Sequence, residues 1–149
     1  MKEQKLKEYF ENSISAEQFS EDLKNSQEKT SYDVTSVYVD QLKSENEEFE
    51  ITLPHLIKIC DDILCEKLLP IDANTIASAL SFSEYFIWNS ETENGEIISD
   101  VIFDWDNPEI GFDLTKENFV CWKEYLVSGE SSFSKEELKQ KFRRVKSKK

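Results

Sequence analysis

The sequence predicts a mainly α-helical fold, a single-domain helical bundle over residues 1–134 with a basic C-terminal helix or tail over 135–149. Three observations predict it. Gly and Pro occur three times each among 149 residues, too few turn formers for a sandwich or barrel of many short strands. Apolar residues recur at spacings of three and four. Four positions carry a helix-start signal: an oxygen-bearing cap flanked by an apolar residue one before and another four after, which pack together as a staple. With 38% hydrophobic and 12% aromatic residues, the chain is long enough and apolar enough to bury an ordinary core.

The first helix is placed near 3–12. Ser15 caps the second, near 16–28, with Ile14 and Phe19 as its staple and Gln18 at capping-box spacing. A third is placed near 33–44. In the fourth, near 53–68, Leu56, Ile57, Cys60, Ile63, Leu64 and Leu68 form one stripe. Asp72, between Ile71 and Ile76, is read as the cap of a fifth, near 73–88. The sixth, near 96–106, competes with a small β-hairpin around 84–105, in which FSEYFIW, the turn SETENGE and IISDVIFDW would pair back. The spacing of Ile97, Val101 and Trp105 by four, and of Ile98 and Ile102, favours the helix, and Pro108 ends it. Thr115, between Leu114 and Phe119, opens the seventh, near 116–127, and Gly129 stops it. Ser134, with Phe133, Leu138 and Glu137, opens the eighth, near 135–145.

Charge is unevenly distributed. Net charge is −13, yet residues 135–149 hold eight bases and two acids, leaving 29 acids and 10 bases on the first 134. Such a body repels nucleic acid and anionic membrane and attracts cationic partners. The start, MKEQKLKEYF, is charged throughout and lacks the apolar stretch of a secretory signal. No apolar run approaches the roughly 20 residues that span a bilayer. A cytoplasmic location is expected, with Cys60, Cys65 and Cys121 reduced and serving as small core residues.

Catalytic and metal chemistry find little support. The one histidine, His55, stands five residues from Cys60, and Cys60 five from Cys65. Each such step turns a helix by about 140°, so the three point to different sides, unlike a zinc site. SETENGE lacks the ligand spacing of a calcium loop. No phosphate-binding or dinucleotide glycine motif is present, and no nucleophile has a recognisable base and acid partner. The expectation is a non-enzymatic protein without metal or cofactor.

One stretch stands out. DVIFDWDNPEIG, residues 100–111, sets Asp100, Asp104, Asp106 and Glu109 among bulky apolar residues, and no Lys or Arg occurs from Leu68 to Thr115. On a helix, Glu96, Asp100 and Asp104 repel one another at a few tenths of a kcal/mol per pair. Local rules of this kind are broken most often at functional sites. The candidate partner-binding face is therefore Glu91, Glu93, Glu96, Asp100, Asp104, Trp105, Asp106 and Glu109, with Trp105, if exposed, as an aromatic anchor. The opposing reading makes Trp105 and Phe103 core and the acids merely solvated.

The opening KLKEYFENSISAEQFSEDL, residues 5–23, resembles the start of colicin D-type immunity proteins, with Ile14, Ser15, Ala16, Phe19 and Ser20 at matching positions. The longer stretch containing ASAL, SEYFIW and VIFDWDNPEI resembles small bacterial proteins associated with polymorphic and contact-dependent toxins. The resemblance implies an immunity protein, which binds the toxin domain made by its own cell and blocks it, and it carries over no catalytic residue. The expected partner is a cognate toxin domain with a basic surface, with no nucleic-acid or membrane partner. Oligomeric state is left open. The rival readings are an acidic nucleic-acid mimic aimed at a host DNA- or RNA-binding protein, an adaptor with no charge-led partner, and a carboxylate hydrolase.

Overall fold

Six helices and two short strand pairs are built from the described part of the chain. The computed structural model describes residues 1–24, 48–109 and 111–130, together with the backbone of 27–29 and 35–37. The order is α1 (Glu3–Phe10), α2 (Ala16–Leu23), β1 (Gln27–Lys29), β2 (Thr35–Val37), β3 (Phe49–Glu50), α3 (Leu53–Leu64), α4 (Pro70–Phe82), β4 (Phe86–Ile87), α5 (Glu93–Asp106) and α6 (Lys116–Ser128). The protein is mainly helical, as its composition and apolar spacing predict.

The capping chemistry explains most of the boundaries. Ser15 accepts the Gln18 backbone N–H at 3.1 Å, and the Gln18 side chain accepts the Ser15 N–H at 2.9 Å, closing the expected capping box. Thr115 accepts from the Asn118 N–H at 3.2 Å. Gly129 ends α6 in the left-handed region at φ 77°, where a Cβ would be strained, and its N–H bonds the Tyr125 carbonyl at 2.8 Å.

Several boundaries differ from expectation. Helix α2 ends at Leu23, and part of the expected 33–44 helix is instead β2, paired antiparallel with β1 so that Gln27 faces Val37. Thr35 and Val37 are β-branched, stiff at χ1 and better suited to a strand. The rest of 33–44, and all of the expected 135–145 helix with its Ser134 cap, lie outside the described residues. Asp72 is not the cap of α4. Pro70, whose fixed φ suits the first helical position, starts the helix earlier, and Leu69 is the N-cap. Asp72 instead reaches back to accept the Leu69 N–H at 2.8 Å, which leaves Ile71 exposed rather than stapled. That helix stops at Phe82 because Ser83 turns extended, and its hydroxyl takes the N–H groups of Tyr85 and Phe86. The alternative hairpin around 84–105 does not form. β4 pairs in parallel with β3, Phe49 facing Phe86, and residues 93–106 are helical.

The core lies between two helix pairs, α3 against α6 and α4 against α5, with α5 also touching α3 and α6. Leu56, Ile59, Cys60 and Ile63 of α3 face Phe119, Trp122 and Leu126 of α6, all buried. Trp105 enters from α5, edge-on to Trp122 at 6.1 Å and 87°. Of the three free thiols, only Cys60 is a small core residue. Cys121 is half-buried, and Cys65 is exposed at the C-cap of α3, where it faces water rather than the apolar stripe.

Candidate partner-binding face

Helix α5 positions most of the expected face. Thr92 caps it by accepting the Gly95 N–H at 3.0 Å, and its own hydroxyl donates to the Asn89 carbonyl at 2.8 Å. Gly95 lets this turn close against the helix. A Cβ there would stand 1.7 Å from the Asn89 carbonyl oxygen. The helix therefore starts three residues before the predicted point, at Glu93, with Glu93 and Glu96 in its first turn. Carboxylates suit that end of a helix dipole.

The eight predicted residues separate into three groups. Glu91, Glu93, Glu96 and Glu109 are exposed, and none of them pairs with a cation among the described residues. Asp100, Asp104 and Asp106 are held by neutral donors. Tyr125 donates its hydroxyl to Asp100 at 2.7 Å, Trp122 its indole N–H to Asp104 at 3.1 Å, and Ser78 its hydroxyl to Asp106 at 2.6 Å. The lack of a nearby base is thus explained for these three, since their partners are hydrogen-bond donors from α6 and α4. Trp105 forms the third group. It is 0% exposed, packed on Phe119 and Trp122, so it cannot anchor a partner. It shares a stripe with buried Ile97 and Val101, and burying so large an apolar surface outweighs presenting it to water. Phe103, the other aromatic whose burial was in question, is the one on the surface.

Asp104 and Asp106 are half-buried and Asp100 is exposed, and the electrostatics around Asp104 follow from this packing. Burial pushes the Asp104 carboxyl up to about 6, the Trp122 hydrogen bond pulls it down, and repulsion from Asp100 raises it further. Burial and the bond to Asp100 also raise the Tyr125 hydroxyl, so it stays a donor.

One cleft opens beside this face and another lies away from it. The first, of about 600 Å³, lies between the start of α3 and the start of α5, with Glu50, Trp88, Asn89, Glu93 and Ile98 in its wall. Trp88 is half-buried there and donates to Ser99 at 2.8 Å. The other, of about 690 Å³, lies between the α1–α2 turn and α3. Its polar groups engage one another: Lys58 donates to Asn12 and sits 4.4 Å over the Tyr9 ring, and the Tyr9 hydroxyl donates to Asp62.

The single histidine has a structural task. His55 Nδ1 accepts the Thr52 backbone N–H at 3.0 Å, completing the cap of α3, and its ring lies against Phe10 and Phe49. Burial and the neighbouring Lys58 hold its pKa below the ordinary value. Among the described residues, no three His, Cys, Asp or Glu side chains converge to hold a metal ion, and no helix is long and apolar enough to cross a membrane.

No protein-family model, curated protein or solved structure matches the chain.

Proposed function

We propose that this protein is an immunity protein. It acts in the bacterial cytoplasm by binding, not by turnover, and neutralises a cognate toxin domain with a basic surface, of the kind nucleases use to hold phosphates. The observation that carries the reading is the charge layout. Residues 68–115, which contain α4, β4 and α5, hold no Lys or Arg, and Glu91, Glu93 and Glu96, around the start of α5, are exposed and pair with no cation among the described residues. The resemblance of residues 5–23 and of the ASAL, SEYFIW and VIFDWDNPEI stretches to toxin-associated proteins points the same way. Carboxylates of this kind steer a basic partner, raising association to as much as about 10⁸–10⁹ M⁻¹s⁻¹ at low salt. A cell that makes a lethal enzyme benefits from capture at that rate.

Nucleic-acid mimicry requires acids spaced along an extended surface. Asp100, Asp104 and Asp106 are engaged by Tyr125, Trp122 and Ser78, which shortens the free acidic run. The test is capture on the immobilised full chain from the native host, washed at low and then high salt, with the retained proteins identified by mass. A basic toxin domain released by salt supports neutralisation. A host nucleic-acid factor would replace this reading with mimicry, and a partner indifferent to salt would remove charge from the account.

A further inference from the structure

Apolar surface is exposed where the bases are missing. Among the described residues, the large hydrophobics left exposed are Leu69, Ile71, Phe82, Ile87, Phe103, Val120 and Val127, and the first five all fall in the base-free segment 68–115. Two of them are phenylalanines, Phe82 at 76% and Phe103 at 51% exposure. The seam between α4 and α5 fixes where they stand. Asn74 donates to the carbonyls of Trp105 and Asp106 at 3.0 and 3.4 Å, and Ser78 donates to Asp106. Phe82 lies one turn beyond Ser78 on α4, and Phe103 about one turn before Asp106 on α5. Ideal helix spacing therefore sets both residues about one turn from the Ser78–Asp106 bond that ties α4 to α5, and neither helix carries a cation.

We propose that Phe82 and Phe103 are the apolar anchors of a docking face on the α4–α5 seam, and that its occupant is a partner protein with an apolar pocket ringed by Lys or Arg. The inference rests on the binding function proposed above and names the surface that carries it. Exposed aromatics ringed by polar residues are the usual centre of such interfaces. Charge decides between occupants. A second copy docking by a two-fold axis would set this patch on itself, placing carboxylates against carboxylates. An anionic lipid surface would be repelled by the same acidic, base-free segment. A basic protein satisfies both the exposed rings and the excess of carboxylates over bases in that segment.

The experiment uses the full chain, wild type and F82S/F103S, each immobilised to capture partners from the native host. The retained basic protein is then purified and its affinity measured against both forms at low and at high salt. Far-UV circular dichroism and a denaturation midpoint confirm that the variant folds. Should Phe103→Ser prevent folding, F82S alone carries the test. The expected result is a loss of affinity of at least about tenfold that persists at high salt, where steering is screened. Affinity within twofold of wild type, for the same basic partner, overturns the docking face and leaves the binding function standing. Capture of no basic partner by the wild type removes the binding function and the face together. Self-association of the wild type that F82S/F103S abolishes would also overturn the proposal, by making the seam an interface between copies.

Discussion

Asp104 is the acid whose removal should strengthen the fold. Its carboxyl is raised from 3.8 to about 6, chiefly by burial against α6. A carboxyl that binds its proton more readily when folded makes stability fall as pH rises from about 4 to about 6, and that loss persists at higher pH. At about 1.4 kcal/mol for each pH unit, the displacement corresponds to about 3 kcal/mol for a fully desolvated group. Asp104 keeps some contact with solvent, so about 1–2 kcal/mol is expected. Asn in its place keeps an oxygen to accept the Trp122 N–H at 3.1 Å and carries no charge. Urea denaturation of wild type and Asp104→Asn should therefore give a variant more stable by about 1–2 kcal/mol at pH 7.5, with the gain nearly gone at pH 4. A variant less stable than wild type at pH 7.5 would refute the reasoning, because the charged bond to Trp122 would then outweigh its desolvation. So would a gain of equal size at both pH values.

Three further outcomes follow from the packing. Gly95→Ala should lower stability by about 1–3 kcal/mol, because the new methyl meets the Asn89 carbonyl and the capping turn must open; unchanged unfolding would contradict the tight approach. Trp105→Ala should cost about 3–5 kcal/mol of stability, since it empties the core beside Phe119 and Trp122, and a change in partner affinity with unaltered stability would return Trp105 to the surface. His55, with its pKa lowered, caps α3 as the neutral ring. Its contribution is complete above about pH 6.5 and is lost as pH falls through the folded value. This opposes the Asp104 effect, so His55→Gln, which keeps a capping-box acceptor, should remove a loss of stability below pH 6.5 when compared with wild type at each pH; parallel curves for the two would exclude the capping role.

The helices were legible where the signal is local. Ser15 with Gln18, Thr115 with Phe119, and Gly129 act within a turn or two of themselves, and the structure uses each as the sequence predicts. The spacing of Ile97, Val101 and Trp105 distinguished helix from hairpin, and it also held the evidence that Trp105 is core. The start of α5 was hidden because Thr92 follows Glu91 and so lacks an apolar staple. The fate of the acids was hidden for another reason. Asp100, Asp104 and Asp106 are answered by Tyr125, Trp122 and Ser78, donors 25, 18 and 28 residues away in the chain. No local window contains those pairs. A faint signal did exist: Trp122 and Tyr125 lie three apart on one helix, and buried Trp and Tyr seek acceptors for their polar tips. Phe82 gave no warning of its exposure, whereas Phe103 lies off the stripe of Ile97, Val101 and Trp105, and the sequence left its burial open.

We propose that Glu91, just before α5, and Glu93 and Glu96 in its first turn serve a basic partner, unlike the half-buried Asp104 and Asp106. The most direct measurement is the association rate constant of the purified partner with wild type and with E91Q/E93Q/E96Q, followed across ionic strength. Wild type should associate fast at low salt and slow steeply as salt rises, and the triple variant should be slower at low salt and converge with wild type at high salt. Rates that neither salt nor neutralisation of Glu91, Glu93 and Glu96 alters would contradict it.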